Sequence, residues 1–402
     1  MIKKIDVHDL GLNMYIHDLN CDWMEHTFLH NNFLVKDAQE IEKIIAAGIR
    51  HVYIDTGRGQ DVPQAPSAEQ VRRQLDSNIQ NLGHSLRRSA PHQISIEEEL
   101  VQARRIFSDA NALVTSISKD ARLGKQLDLG KIEPVIAAIA SSIYRNPDAM
   151  LSLLRIKKAD NSTFQHSVAV CALLIGLCRT QEIDRDTTEQ AGMGGILHDI
   201  GKMKIPGHIL HKLGKLSESE CEIMKKHVGY GCLLIENTPN LSPISLQIAA
   251  EHHERNNGSG YPRALKGDEI SLYGRMAAIV DVYDELTAAK IHHKAREPTE
   301  VLKKLLEWGD QYFDTNLVHN FIRTIGIYPV GTLVRLERGY LAIVVKQHPE
   351  TLLQPKVRLI FNSKSLCYVP PQDLDLSSPR CDDRIVSFET PSRWRINPER
   401  FL

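Results

Sequence analysis

Between Ile94 and about Gly326, apolar residues recur at intervals of three and four, as in Ile96 to Ala110, Lys131 to Tyr144 and Phe164 to Arg179. That period predicts a succession of α-helices. At the two ends the period shortens to two. Met14 to Ile16, Phe33 to Val35 and His51 to Ile54 predict short strands around one helix from Asp37 to Gly48, whose Ile41, Ile44 and Ile45 share a face. After Ile327, the runs Thr332 to Leu336, Tyr340 to Val345 and Lys356 to Phe361, with a turn at Glu337-Arg338-Gly339, predict a small β-barrel or β-meander. Between the first strands and the helices lie Gly57-Arg58-Gly59, Pro63 and Pro66, which suit a linker with some helix. The expected fold class is mainly α: an N-terminal α+β module over 1–60, a linker over 61–95, a helical domain over 96–326 with its core at 150–326, and a C-terminal β module over 327–402.

A chain of 402 residues has room for two to three domains at ~100–200 residues each. With 42% hydrophobic and 25% charged residues, it has the composition of a globular protein. The 49 basic and 50 acidic residues sum to a net charge of −1. No bulk field is available to hold a nucleic acid polymer or an acidic membrane surface. The longest apolar run, Ser167 to Cys178, falls short of the ~20 residues of a membrane-spanning helix. Lys3 and Lys4 are followed by neither an apolar core nor a small-residue cleavage site, so no signal peptide is read and a cytoplasmic location is expected. The seven cysteines are scattered, without a Cys-x-x-Cys pair, and read as reduced packing residues.

Candidate chemistry begins at Gly194-Gly-Ile-Leu-His-Asp-Ile-Gly-Lys, an apolar stretch read as helical that places His198 beside Asp199, with Lys202 on the same side one turn later. A lone pair of this kind reads as a salt-bridged surface. Here, however, His166 lies upstream, and His227, His252, His253 and Asp281 lie downstream on further predicted helices. Five imidazoles and two carboxylates in apolar surroundings are costly to bury unless a cation pairs with them. Nitrogen and oxygen donors without thiolate suit Fe, Mn, Ni or Zn rather than Ca or Mg.

These residues give the chain a resemblance to the HD-GYP branch of HD-domain phosphohydrolases over about residues 150 to 326. His198-Asp199 with Gly201-Lys202 matches the HD element, and His252-His253-Glu254 through Gly258-Ser259-Gly260-Tyr261-Pro262 matches the HHE and GYP element. Asp281-Val-Tyr-Asp284 resembles the terminal aspartate motif, and the first 140 residues resemble a poorly characterised module found ahead of such domains. The resemblance implies a helical domain that hydrolyses a cyclic dinucleotide, cyclic di-GMP first, to the linear dinucleotide pGpG or to GMP. It implies that His166, His198, Asp199 and Asp281 hold one metal ion, and that Asp199, His227, His252 and His253 hold a second, with Asp199 as the bridge. Lys202 would then supply charge to the scissile phosphate, while Gly258, Gly260, Tyr261, Pro262, Lys290 and His293 contact the substrate.

Three departures from the family pattern carry consequences. Ser162 stands where trimetallic relatives have a Glu, so two divalent transition-metal ions are expected, Fe or Mn first and Ni or Zn as alternatives. Asn256-Asn257 replaces the usual Trp-Asp, and Lys290 and His293 replace Arg and a second strong base. Because a lysine cannot make the planar two-bond contact of a guanidinium, 3′,3′-cyclic GMP-AMP is the alternative substrate. A non-catalytic cyclic-dinucleotide receptor or signalling scaffold is the alternative of another class, and the intact set of ionisable positions speaks against it. A second copy of the chain or a signalling protein is the expected partner.

Overall fold

The computed structural model describes residues 1–21, 32–87, 93–154, 162–212, 214–288, 295–348 and 350–402. Its period-two segments pair as antiparallel sheets at the two ends, and helices fill the middle. The N-terminal sheet contains β1 (Ile2–Asp6), β2 (Tyr15–Asp18), β3 (Phe33–Leu34) and β4 (His51–Asp55) in the order β1-β4-β2-β3, with α1 (Ala38–Ala46) beside it. Ile5, Ile16, Ile44, Val52 and Ile54 form its own small core. Helix α1 starts where it does because Asp37 accepts the Gln39 N–H while the Glu40 side chain returns to the cap backbone, satisfying amides that a helix start leaves unpaired.

The stretch 61–95, expected as a linker with some helix, carries a five-turn helix, α2 (Ala68–Ser85). Pro63 and Pro66 lie before its start, and Ser67 with Gln70 forms a reciprocal cap. Only Ile79 and Gly83 of this helix are buried, although Val71, Leu75, Ile79 and Leu82 recur at intervals of four, four and three.

The helical domain runs through α3 (Ile96–Arg122), α4 (Leu129–Arg145), α5 (Pro147–Leu154), α6 (Ser162–Thr180), α7 (Arg185–Leu197), α8 (Gly207–Leu210), α9 (Glu218–Lys225), α10 (His227–Glu236), α11 (Pro243–Glu251), α12 (Leu272–Thr287), α13 (Pro298–Tyr312) and α14 (Thr315–Ile325). Helix α6 lies at the centre. Every residue from His166 to Cys178 is buried, packed by α3, α4, α7, α12 and α14. An all-round apolar surface is what such a position demands, and each Leu or Ile placed there contributes roughly 1.5–3 kcal/mol of burial. Apart from the Cys171 and Cys178 thiols, His166 is the one ionisable side chain within that buried run, which makes its partners decisive.

At the C-terminus, β5 (Leu333–Leu336), β6 (Tyr340–Lys346), β7 (Lys356–Asn362) and β8 (Cys367–Asp375) form an antiparallel meander, and β9 (Ile385–Phe388) returns beside β5. Leu341 and Ile343 pack on one face of the sheet, and Ala342 and Val344 on the other. Among the described residues, no helix is long and apolar enough to cross a membrane.

Candidate metal centre

Helix ends deliver most of the ionisable residues to one buried cluster. His198 and Asp199 follow α7, His227 opens α10, His252 and His253 follow α11, while His166 lies on α6 and Asp281 inside α12. One expectation changes here: His198 and Asp199 do not continue a helix. Helix α7 stops at Leu197, and the chain tightens into a 3-10 turn over Ile200–Lys204. The reason lies at Gly201, where a Cβ would sit 2.0 Å from the His227 carbonyl oxygen and 2.4 Å from the Gly231 nitrogen. Only glycine lets this turn lie directly on α10, which brings Asp199 to His227.

Hydrogen bonds aim the imidazoles. The Nδ1 atoms of His198, His227 and His252 lie 2.8, 2.8 and 3.0 Å from the carbonyl oxygens of Gly195, Met224 and Ala249. A carbonyl only accepts, so Nδ1 carries a proton and each Nε2 is left facing the cluster. His166 is held in the same sense by the Asp284 carboxylate, 2.7 Å from its Nδ1.

Asp199 divides its two oxygens between two sets of rings. Its Oδ1 lies 3.3 Å from His227 Nε2 and 3.8 Å from His252 Nε2, whereas Oδ2 lies 3.4 Å from His198 Nε2 and 3.7 Å from His166 Nε2. Asp281 Oδ1 adjoins the second set, 2.9 Å from His166 Nε2 and 3.5 Å from His198 Nε2. Donor atoms of Asp199, His227, His252 and His253 fall within 4.8 Å of one another, as do those of His166, His198 and Asp199.

Burial sets the electrostatics. Desolvation pushes His227 down to about 4 and His252 to about 3, and lowers His253 as well, which keeps these rings neutral and available as donors. His198 goes the other way: burial opposes its charge, yet Asp199 and Asp281 raise it to about 10. Burial likewise opposes the Asp199 carboxylate, but Lys202 and His198 hold it well below the usual carboxylate range. Among the described residues, His198 Nε2, Asp199 Oδ1 and His253 Nε2 are buried without a hydrogen-bond partner. Orphaned polar atoms cost roughly 1–3 kcal/mol each, and lone pairs converging in this way fit a cation.

Lys202 stands at the rim, its Nζ 2.5 Å from Asp199 Oδ2 with 22% of its side chain exposed. Gly258, Gly260, Tyr261 and Pro262 form the adjoining loop. A Cβ on Gly260 would lie 2.4 Å from the Arg255 nitrogen and from Glu254 Cα, so the loop folds back on the histidine turn only with glycine there. Gly258 adopts φ +80 opposite the Lys266 side chain. The Tyr261 ring stacks on His253 with centroids 4.6 Å apart, and Pro262 is exposed. Lys290 and His293 lie outside the described residues, as does the Ser162 side chain.

Three carboxylates escaped assignment from the sequence. Asp284 orients His166. Glu254, buried, accepts the N–H groups of Arg263 and Leu265 at 2.8 and 3.0 Å, and so ties down the loop rather than facing the cluster. Glu251 accepts the Ser271 N–H at 2.8 Å and Arg263 Nη2 at 2.6 Å. The available signals were position alone: Asp284 is one turn beyond Asp281, and Glu254 directly follows the paired histidines.

Comparison with known proteins agrees with this geometry. The HD domain family matches residues 149–317, and a domain of unknown function, DUF3391, matches residues 2–132, beyond the strands and into α3 and α4. A cyclic di-GMP phosphodiesterase of Pseudomonas aeruginosa is 37% identical over 399 residues, spanning 98% of this chain and 94% of that protein. The chain belongs to the HD-GYP branch of the HD-domain phosphohydrolases. A 3′3′-cGAMP-specific phosphodiesterase of Vibrio cholerae is 37% identical over 155 residues, 38% of this chain and 29% of that protein. A solved HDG"Y"P protein from Bdellovibrio bacteriovorus superposes with a TM-score of 0.46 at 17% identity, covering 80% of this HD-GYP chain and 98% of its own.

Proposed function

We propose that this chain hydrolyses a cyclic dinucleotide, cyclic di-GMP foremost, to pGpG or GMP at a dinuclear metal centre. The observation that carries the reading is the division of Asp199, one oxygen toward His227 and His252 and the other toward His198 and His166. A carboxylate so placed serves two cations at once and offsets their repulsion. In this reading His166, His198, Asp199 and Asp281 hold one ion, and Asp199, His227, His252 and His253 the other. Fe or Mn suits this thiolate-free donor set first, with Ni or Zn as alternatives. Such a pair of ions supplies a water-derived nucleophile at neutral pH and stabilises charge building on the phosphate oxygens.

The chain's own residues do the rest. Lys202, on the rim beside Asp199, directs a positive charge at the scissile phosphate. Gly258 and Gly260 let the backbone approach the substrate, and Tyr261, stacked on His253, walls the pocket, with Pro262 ending that wall. Lys290 and His293 are assigned to grip the ligand on the motif alone. Similarity along nearly the whole length of the Pseudomonas cyclic di-GMP phosphodiesterase, against a partial match to the Vibrio 3′3′-cGAMP-specific one, supports cyclic di-GMP as the substrate of this chain.

The test is metal analysis of anaerobically purified protein, followed by product identification with cyclic di-GMP and 3′,3′-cyclic GMP-AMP in parallel. Two ions per chain and faster turnover of cyclic di-GMP are expected. After chelation, Mn or Fe(II) should restore activity and Mg alone should not. Tight binding of either dinucleotide without turnover by the metal-replete protein would make the chain a receptor instead.

A further inference from the structure

The N-terminal module touches the helical domain at the loop that carries Gly258 and Gly260. Gly48, in the turn between α1 and β4, has φ +74, and its carbonyl accepts two side-chain amides: Asn257 Nδ2 at 3.2 Å and Gln311 Nε2 at 2.8 Å. The other end of the Asn257 amide is also engaged. Its Oδ1 accepts the Ser259 N–H at 3.0 Å and the Ser259 hydroxyl at 2.7 Å. Asn257 therefore links the module to the residue just before Gly260, and Tyr261 behind it stacks on His253.

The module itself is firmly seated. On α13, Glu307 Oε1 accepts from the Tyr53 hydroxyl and from Lys4 Nζ, each at 2.7 Å, and Trp308 Nε1 donates to the Asn20 carbonyl at 2.9 Å. Space is as tight as the bonding: a Cβ at Gly48 would lie 2.3 Å from Ser259 Cβ and 2.9 Å from its Oγ. Ordinary carbon contacts need ~3.5–4.0 Å, so any side chain at position 48 drives the loop away by ~1 Å.

We infer that Gly48 is a positioning residue for the phosphodiesterase site, through which the N-terminal module sets the Asn257–Ser259 part of the loop beside the metal-facing histidines. The inference rests on the reading of that loop as a substrate wall. It makes the module part of the site's architecture, so that whatever shifts the module shifts the loop.

The test compares full-length, metal-loaded variants by amide hydrogen exchange over 254–262, by metal content and by steady-state hydrolysis of cyclic di-GMP. Gly48→Ala should speed exchange in the loop and lower kcat/KM about 10-fold or more, with metal content unchanged. Gly124→Ala is the control: Gly124 has φ +75 but its nearest neighbour to an added Cβ is Lys204 Nζ at 3.9 Å, so it carries the same backbone cost without the clash. The double variant Gly48→Ala/Ser259→Gly should return exchange and KM to those of Ser259→Gly alone, since the crowded atom is gone. Asn257→Asp keeps the acceptor for Ser259 but sets a carboxylate oxygen, which cannot donate, against the Gly48 carbonyl, and should loosen the loop even if Gly48→Ala folds poorly. Loop exchange in Gly48→Ala equal to that in Gly124→Ala, no rescue by Ser259→Gly, or unaltered exchange in Asn257→Asp would overturn the inference. Absence of hydrolysis by the unmodified chain would instead remove the phosphodiesterase reading and leave exchange to decide the clamp.

Discussion

Two buried ionic clusters in this protein are built from similar groups and behave oppositely. Between α3 and α4, the buried Glu99 accepts from Ser142 Oγ at 2.7 Å and from Arg145 Nη2 and Nε at 2.8 and 2.6 Å. Both carboxylate oxygens are used, and the charge is neutralised by one guanidinium. The cluster around Asp199 holds five imidazoles within reach of two carboxylates, yet His198 Nε2, Asp199 Oδ1 and His253 Nε2 find no hydrogen-bond partner among the described residues. A closed cluster joins two helices. An open one spends stability on buried polar atoms that converge without hydrogen-bond partners, a pattern that makes sense when a cation completes it. Satisfaction, not burial or charge count, separates the structural cluster from the chemical one.

The sharpest break comes from Asp199→Ala, which removes the group shared by both sets of imidazoles. Hydrolysis should fall roughly 10³-fold or more and metal content should drop at both positions, measured by turnover and elemental analysis; retention of a tenth of the activity would sink the bridging role. Lys202→Ala should lower turnover about 100-fold through lost charge stabilisation while elemental analysis finds the ions still bound. Metal loss in that variant would make Lys202 a structural partner of Asp199 instead. Smaller again is Asp284→Asn, which weakens the orientation of His166: metal affinity, read by competition with a chelator, should decline about 10-fold. Unchanged affinity would mean that packing alone fixes the ring. Glu99→Ala marks the other side of the comparison, with no change in metal content or turnover. Because the Arg145 side chain is 33% exposed and regains water, denaturant unfolding should show a loss of only about 2 kcal/mol. A metal-dependent change in that variant would erase the distinction between the clusters.

The mainly helical architecture with a sheet at each end was legible because periodicity is local. The structure adds local caps at the helix starts, as where Ser95 pairs with Glu98 and Ser217 with Glu220. Helix α2 was legible only in part: Val71, Leu75, Ile79 and Leu82 keep a helical spacing, but the glycines and prolines just before them mark a linker. The ionisable residues of the cluster were legible as a set, because histidine and aspartate in apolar segments stand out against every other demand on those segments. Their division into two groups came from the family resemblance, not from any local pattern in the chain.

What the sequence by itself determined, then, was which residues cannot be explained as packing: His166, His198, Asp199, His227, His252, His253 and Asp281 on or beside apolar helices. Tertiary structure decided what each one does. His166 meets Asp284 across 118 residues of sequence, and the choice of which Asp199 oxygen faces which ring depends on how α6, α7, α10 and α11 pack. The end of α7 at Leu197 depends on the close approach of Gly201 to α10, and the contact of Gly48 with Asn257 on how the N-terminal module sits on α13. The physical reason is one of range: side-chain period and capping act over three or four residues, whereas a carboxylate's partners are set by helices that meet only after the chain has folded.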